Sequence, residues 1–471
     1  MNNISAPDAG LPLAPVAAAP AVPDYRLDIF AGERQRLGTA WLRLAIAALL
    51  ISGVFSILLV AARTPAVQSL MPGVDFFRVA LVVHVDLSVL VWFASFTAVL
   101  WSVAGTERWL GLAWVAWWLA ALGTAGMSLA PFLNPGPAVM ANYVPVLDSA
   151  LFIWGLVIFG AGFGLSALRA LAVPQKVGTM LPPEGALRFG LNTAAVAAAM
   201  ALLALAWSWS RVSLALDTRT YYELLFWGPG HVIQFCWSLV MMVSWLWLAS
   251  LSGAPVALSP RIVVLLFGIG LLSVFATPLI YLAFDVASVE HQKLFTWQMR
   301  FGGGLAIVPV AVAVLMGLLR ARATEPALRP CRAALLSSLM LFGAGGLIGF
   351  LIQGSDVRIP AHYHGSIVGI TLALMGLTYA LLPRLGFTRT LPRLARWQPW
   401  LYGGGQLLHI SGLVWSGGYG VQRKVAGAEQ VLRTPSEVAG MALMGLGGLI
   451  AVIGGLVFVL LVLRTLRRPT P

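Results

Sequence analysis

The chain has 471 residues, of which 59% are hydrophobic and only 10% charged, with a mean hydropathy of +0.87. Soluble globular domains carry about a quarter charged residues, so this composition excludes one and indicates a polytopic membrane protein from about Gly38 onward. The formal charge of +13 is scattered over loops rather than gathered on a polar surface, which excludes nucleic acid as a partner. Two cysteines, Cys236 and Cys331, fall in different segments and support neither a disulfide framework nor a cysteine metal site.

Residues 1–37 are Ala/Pro-rich and then charged, without the basic start and apolar core of a secretory signal. They read as a mostly disordered cytoplasmic tail ending in an interfacial stretch near Tyr25–Arg36. Apolar runs of roughly 20 residues mark spanning helices. In chain order they fall at about 38–62, 78–104, 109–131, 147–171, 187–212, 226–251, 261–284, 297–321, 332–353, 361–385, 398–418 and 436–464. The expectation is an all-α bundle of twelve transmembrane helices: one membrane domain over 38–465 and a short cytoplasmic tail at 466–471. Gly302-Gly303-Gly304, Gly403-Gly404-Gly405 and Gly447-Gly448 suit close helix contacts.

Lys and Arg orient this bundle. With the N-terminus cytoplasmic, most of the 30 fall in cytoplasmic tails and loops. Arg320, Arg322, Arg329 and Arg332 share one such loop, and Arg384, Arg389, Arg393 and Arg396 another, while Arg43 lies inside the first segment. The positive-inside rule supports this orientation, and the expected location is a bacterial-type cytoplasmic (inner) membrane.

The orientation places most histidines at one level. His84 enters the second segment from outside, in Val-Val-His84-Val-Asp86, and an imidazole and a carboxylate in an apolar run are both costly. His231 enters the sixth, in Trp227-Gly-Pro-Gly-His231, where Trp227 and Trp237 are expected to line an apolar cavity. The structural alternative for each is a ring bonded to a carbonyl or a helix cap. His291 follows the seventh segment in a polar stretch that reads as a solvated loop. His409, near the middle of the eleventh, reads as structural or as part of a polar path. The most specific signal opens the tenth segment: Pro-Ala-His362-Tyr-His364-Gly. Residues two apart on a helix point about 200° apart, so one helix offers two imidazoles to two different neighbours, and two metal-centred cofactors flanking it give both a partner.

These residues resemble subunit I of the haem-copper oxidoreductase superfamily, the catalytic subunit of cytochrome c oxidases and related nitric oxide reductases. The resemblance implies twelve helices and two haems, expected as b type although the ligands alone do not distinguish b, a and o. By it, His84 and His364 hold a low-spin haem, His362 holds a high-spin haem, and His231 binds a distal copper or non-haem iron. Arg423-Lys424 resembles the family's Arg-Arg pair for haem propionates. The sequence also departs from the family. It lacks the adjacent His-His of the seventh helix; Tyr281, Asp285, Glu290 and His291 remain open as replacements, and a carboxylate among them favours iron over copper. Phe235 stands where many oxidases have a tyrosine four residues after the sixth-helix histidine.

The resemblance implies electrons from cytochrome c or a copper-containing donor subunit, and O2 or NO as substrate. Reduction of O2 to water is the commoner activity, and the missing tyrosine shifts weight toward NO. Asp86, Asp148, Glu223, Asp285 and Glu290 cluster near or outside the outer half, so protons are expected from that side without pumping. The rival readings are a secondary transporter and a degenerate subunit that keeps only its low-spin haem.

Overall fold

The computed structural model describes residues 22–63, 76–321, 325–388, 392–423 and 432–468. Helix α1 (Glu33–Arg63) is followed by α2 (Phe76–Val85), which runs through a π-helical stretch, Asp86–Val91, into α3 (Trp92–Ala104). Next come α4 (Leu110–Leu133), a two-stranded antiparallel ribbon of β1 (Ala138–Val139) and β2 (Val146–Leu147), and α5 (Ala150–Ala172). Helices α6 (Pro183–Arg211) and α7 (Thr218–Leu251) lead to α8 (Pro260–Leu272) and the short α9 (Ala276–Ala283). The chain closes with α10 (Val289–Gly302), α11 (Gly304–Arg320), α12 (Arg329–Phe350), α13 (Arg358–Leu381), α14 (Gln398–Gly418) and α15 (Pro435–Leu466).

Among the described residues, 11 helical stretches are long and apolar enough to cross a membrane. The eleventh expected segment, 398–418, is not among them; it forms α14, a helix of 21 residues packed between α13 and α15. Its Gly, Gln, His and Ser residues keep it less apolar than the others. The helices that carry the tenth- and sixth-segment histidines are the most enclosed: 89% of the apolar stretch in Arg358–Leu385 and 83% of that in Thr218–Leu251 is buried, against 28% to 67% for the rest. These two helices therefore form the centre of the bundle.

Two boundaries differ from expectation. Helix α1 starts at Glu33, not Gly38, because the polar turn Glu33–Arg36 continues the helix. The segment before it packs against the bundle through Tyr25 and Leu27. Tyr25 is fully buried, its backbone N–H donating to Ser250 Oγ at 2.8 Å and its hydroxyl to the Leu258 carbonyl at 2.5 Å. The polar stretch after the seventh segment also forms a helix. Ser288 caps α10 by accepting from the His291 N–H at 3.2 Å, and α10 breaks only at Gly303 before α11 continues.

Helices α12 and α13 touch backbone to backbone. A Cβ on Gly365 would lie 2.5 Å from Gly345 Cα, and one on Gly345 would lie 2.3 Å from Ser366 N. Without lipid-excluding hydrophobic force, such small-residue contacts hold membrane helices together. Gly365→Val is accordingly expected to push the pair apart at a cost of about 1–3 kcal/mol, read as a lower unfolding midpoint in detergent; an unchanged midpoint would show that the contact is dispensable.

Candidate haem and distal-metal site

The His362–His364 pair diverges. The His362 ring turns to α12, where its Nδ1–H donates to the Gly345 carbonyl at 2.7 Å. The absent side chain of Gly349 makes room for it, since a Cβ there would stand 2.9 Å from the imidazole. The His364 ring turns the other way, to α14, with its centroid 4.9 Å from that of His409. His84 is also an electrostatic neighbour of His364. Thus α13 presents one imidazole to α12 and the other to a cluster drawn from α2 and α14.

His84 is fixed from α1. Its Nδ1–H faces the Ser52 carbonyl oxygen at 3.0 Å and Ser52 Oγ at 3.0 Å. His409 is held likewise, Nδ1 donating to the Met444 carbonyl at 2.9 Å. In His84 and His362 the proton therefore sits on Nδ1, the Nε2 lone pair is unclaimed among the described residues, and the rings are only half-buried. A carbonyl on the far nitrogen that fixes tautomer and orientation is the usual support of a metal-binding imidazole. The residues present fit two haems: His362 would hold one, and His84 and His364 the other.

Immediately after His84 the helix widens into the π-helical stretch, a feature frequent at functional sites. It turns Asp86 inward, 1% exposed, with neither carboxylate oxygen hydrogen-bonded among the described residues. A buried carboxylate of this kind calls for a water, a proton or an ion.

A second cluster forms where α7, α9 and α10 meet. His231, 1% exposed, donates from Nδ1 to the Trp227 carbonyl at 2.7 Å, and its Nε2 accepts from the Tyr143 hydroxyl at 2.7 Å. Tyr143 lies in the β1–β2 loop, and Gly230 makes way for its ring, which a Cβ would meet at 2.3 Å. His291, read from the sequence as a solvated loop residue, is fully buried, and neither ring nitrogen has a partner among the described residues. Phe295 lies between the two imidazoles, its centroid 4.8 Å from His291 and 6.2 Å from His231. Tyr281 packs 4.9 Å from His291 and shares a 2.7 Å hydrogen bond with Ser208.

The carboxylates stay outside this cluster. Asp285 is exposed and accepts from the Ala287 N–H at 2.9 Å, and Glu290 is exposed in the first turn of α10, where the helix dipole favours an anion. Phe235 is buried against the α10–α11 break. Among the described residues no three His, Cys, Asp or Glu side chains converge. The arrangement thus offers two imidazoles near the distal position, one already bonded on both nitrogens, and does not by itself assemble a three-donor metal site.

Arg423 stands at the same end of the bundle, donating to Ser355 Oγ at 3.2 Å and towards Asn142 Oδ1 at 3.4 Å. Asn142 in turn donates to Glu223, its backbone N–H at 3.0 Å. Lys424 lies outside the described residues. The sequence reading missed Tyr143, because nothing in Asn142-Tyr143-Val144 distinguishes it from an ordinary loop tyrosine. Tyr143→Phe leaves the buried His231 Nε2 without a donor and is expected to cost about 1–3 kcal/mol of stability, measured as a fall in the unfolding midpoint; no change would show that water replaces the phenol.

Residues 36–457 match the family model described as Cytochrome C and Quinol oxidase polypeptide I. An uncharacterized protein of Rickettsia prowazekii (strain Madrid E) is 28% identical over 500 residues, covering 91% of this chain and 96% of that protein. One from Aquifex aeolicus (strain VF5) is 30% identical over 363 residues, 76% of this chain and 88% of its own length. Cytochrome c oxidase subunit 1 of Thermus thermophilus is 25% identical over 450 residues, 84% of this chain and 77% of that one. Among solved structures, a heme-copper terminal oxidase dimer, determined by cryo-EM, superposes with a TM-score of 0.71 at 16% identity, over 94% of this chain and 85% of that one, a likeness of fold.

Proposed function

Because the chain belongs to the cytochrome c and quinol oxidase polypeptide I family, the subunit I family of the haem-copper oxidoreductases, we propose that it is the catalytic subunit of a respiratory enzyme that reduces O2 to water with electrons from cytochrome c or a copper-containing donor subunit. The observation that carries this reading is the pair of oppositely directed imidazoles on α13, with the tautomer of His362 set by a carbonyl and His364 gathered with His84. Family membership removes the support for a secondary transporter and implies haems together with a copper or iron centre.

In this reading His84 and His364 would hold the low-spin haem and His362 the high-spin haem, with Arg423 at the propionate end. When bound, a haem pair supplies electron transfer and an open iron position for a diatomic ligand. The protein's own part is orientation and insulation. Ser52 and Gly345 lock two imidazole tautomers, and α7 and α13 keep water from the centre of the bundle. Arg423, beside Asn142, places a cation where haem carboxylates are expected, a pairing guanidinium suits. We also read α14 as a spanning helix, which brings the count to twelve, the N-terminus as cytoplasmic, and the membrane as the bacterial inner one; the Lys/Arg placement supports the orientation.

A nitric oxide reductase is the second reading, favoured by Phe235 in place of a tyrosine. Two observations weigh against it. Tyr143 brings a phenol to His231 from another element, and the carboxylates that favour iron, Asp285 and Glu290, stay at the surface. Reduction of O2 consumes four electrons and four protons per two waters; coupling of two NO to N2O and water consumes two of each. Metal analysis of the purified protein with both turnovers separates them: copper with rapid O2 consumption is expected, whereas non-haem iron with N2O production would establish the reductase.

A further inference from the structure

We propose that the cleft between α1 and α4, at the Glu33 end of the bundle, binds the phosphate of an anionic phospholipid. The cleft holds about 520 Å³ and is lined by Gln35, Arg36, Thr39 and Arg43 of α1, by Trp114, Trp117 and Trp118 of α4, and by Leu385 and Phe387. It lies on the lipid-facing periphery, away from the histidines.

Arg43 is the group that requires a partner. It stands ten residues into α1, about 15 Å along the helix axis, in an otherwise apolar run. It is exposed and has no hydrogen bond or ion pair among the described residues. An arginine at such depth is costly unless it meets an anion. The other polar groups of the cleft are engaged already. Arg36 pairs with Glu33 at 2.5 Å, Gln35 donates to the Arg384 carbonyl at 3.0 Å, and Thr39 donates to the Gln35 carbonyl at 2.8 Å.

The opposite wall carries a second unsatisfied donor. Trp117 Nε1 is buried with no hydrogen-bond partner among the described residues. Its ring packs edge-on against Trp114 at 5.9 Å and Trp118 at 4.6 Å. The cleft therefore has a lone guanidinium on one wall and an unpartnered indole N–H in the other, whose stepped aromatic surface suits acyl chains. Basic pockets between spans recognise lipid headgroups in this way, and Trp belongs at the membrane interface. The occupant that matches all of these is a phosphodiester of net negative charge with two acyl chains.

The test is native mass spectrometry of the full chain, exchanged from detergent into nanodiscs of dioleoyl phosphatidylglycerol or dioleoyl phosphatidylcholine. The wild-type protein is expected to retain phosphatidylglycerol over phosphatidylcholine. Arg43→Gln is expected to retain about fivefold less of it, the weight of one cation at a membrane surface, and Arg43→Lys to keep most of it. Trp117→Phe keeps an aromatic ring and loses only the donor; it is expected to retain about threefold less, which tests the cleft even if the arginine variant fails to fold. Excess inorganic phosphate is expected to leave the bound lipid in place. Equal retention of the two lipids, wild-type retention by both Arg43→Gln and Trp117→Phe, or displacement by inorganic phosphate would each overturn the proposal.

Discussion

Replacing His362 with Ala is expected to remove about half of the bound haem and all CO binding, while the low-spin reduced-minus-oxidised spectrum persists. Replacing His364 is expected to do the opposite: the low-spin signal goes and the CO-binding haem stays. In both variants turnover falls to background. The reason is the divergence of the two rings. His362 is bonded to α12 through Gly345 and His364 lies against His409 of α14, so neither can take over the other's place. His409→Ala supplies the contrast. Its ring touches His364 but is held by the Met444 carbonyl, and both haems are expected to remain. Haem counted by pyridine haemochromogen after each substitution decides the matter; loss of both haems in every variant would mean that these rings hold the fold rather than separate cofactors.

The second large effect is expected at His291. It is the one imidazole among the described residues that is completely buried with both nitrogens orphaned, and a buried polar ring in that state demands a partner in the working enzyme. His291→Ala is expected to lower O2 or NO turnover at least about 100-fold, the scale on which groups around a metal act, with both haems retained. Asp285→Asn and Glu290→Gln are expected to stay within about twofold of wild type, because both side chains face outward and exposed charges contribute little. Steady-state oxygen and NO electrode assays check the series. The reverse pattern, with the carboxylates essential and His291 dispensable, would move the distal site to the surface turn at Asp285–Ser288.

Much of the frame was legible because hydrophobicity is a strong, local signal. Long apolar runs gave the helices, and the His-x-His spacing alone required two rings on opposite sides of α13. Contacts across the fold were not legible. Ser52, Gly345 and Met444 reach histidines between 17 and 35 residues away through backbone carbonyls, and every residue has a carbonyl. Tyr143 meets His231 across 88 residues because Gly230 lacks a side chain, a contact no periodicity announces. His291 misled for a local reason. Its neighbours Glu290, Gln292 and Lys293 are polar, yet the Ser288 cap starts a helix there, and the 100° turn per residue carries His291 inward while Glu290 faces out. The first segment's start was misplaced because a charged turn can continue an apolar helix as readily as end it.

If imidazoles from α2 and α13 hold two haems at different positions in one bundle, the purified wild-type chain must carry both. Haem stoichiometry, combined with a CO difference spectrum of the reduced protein, reads this without any substitution. Two haems per chain with CO bound to one of them is the expected result; a single haem, none, or CO bound to both would refute the two-haem arrangement.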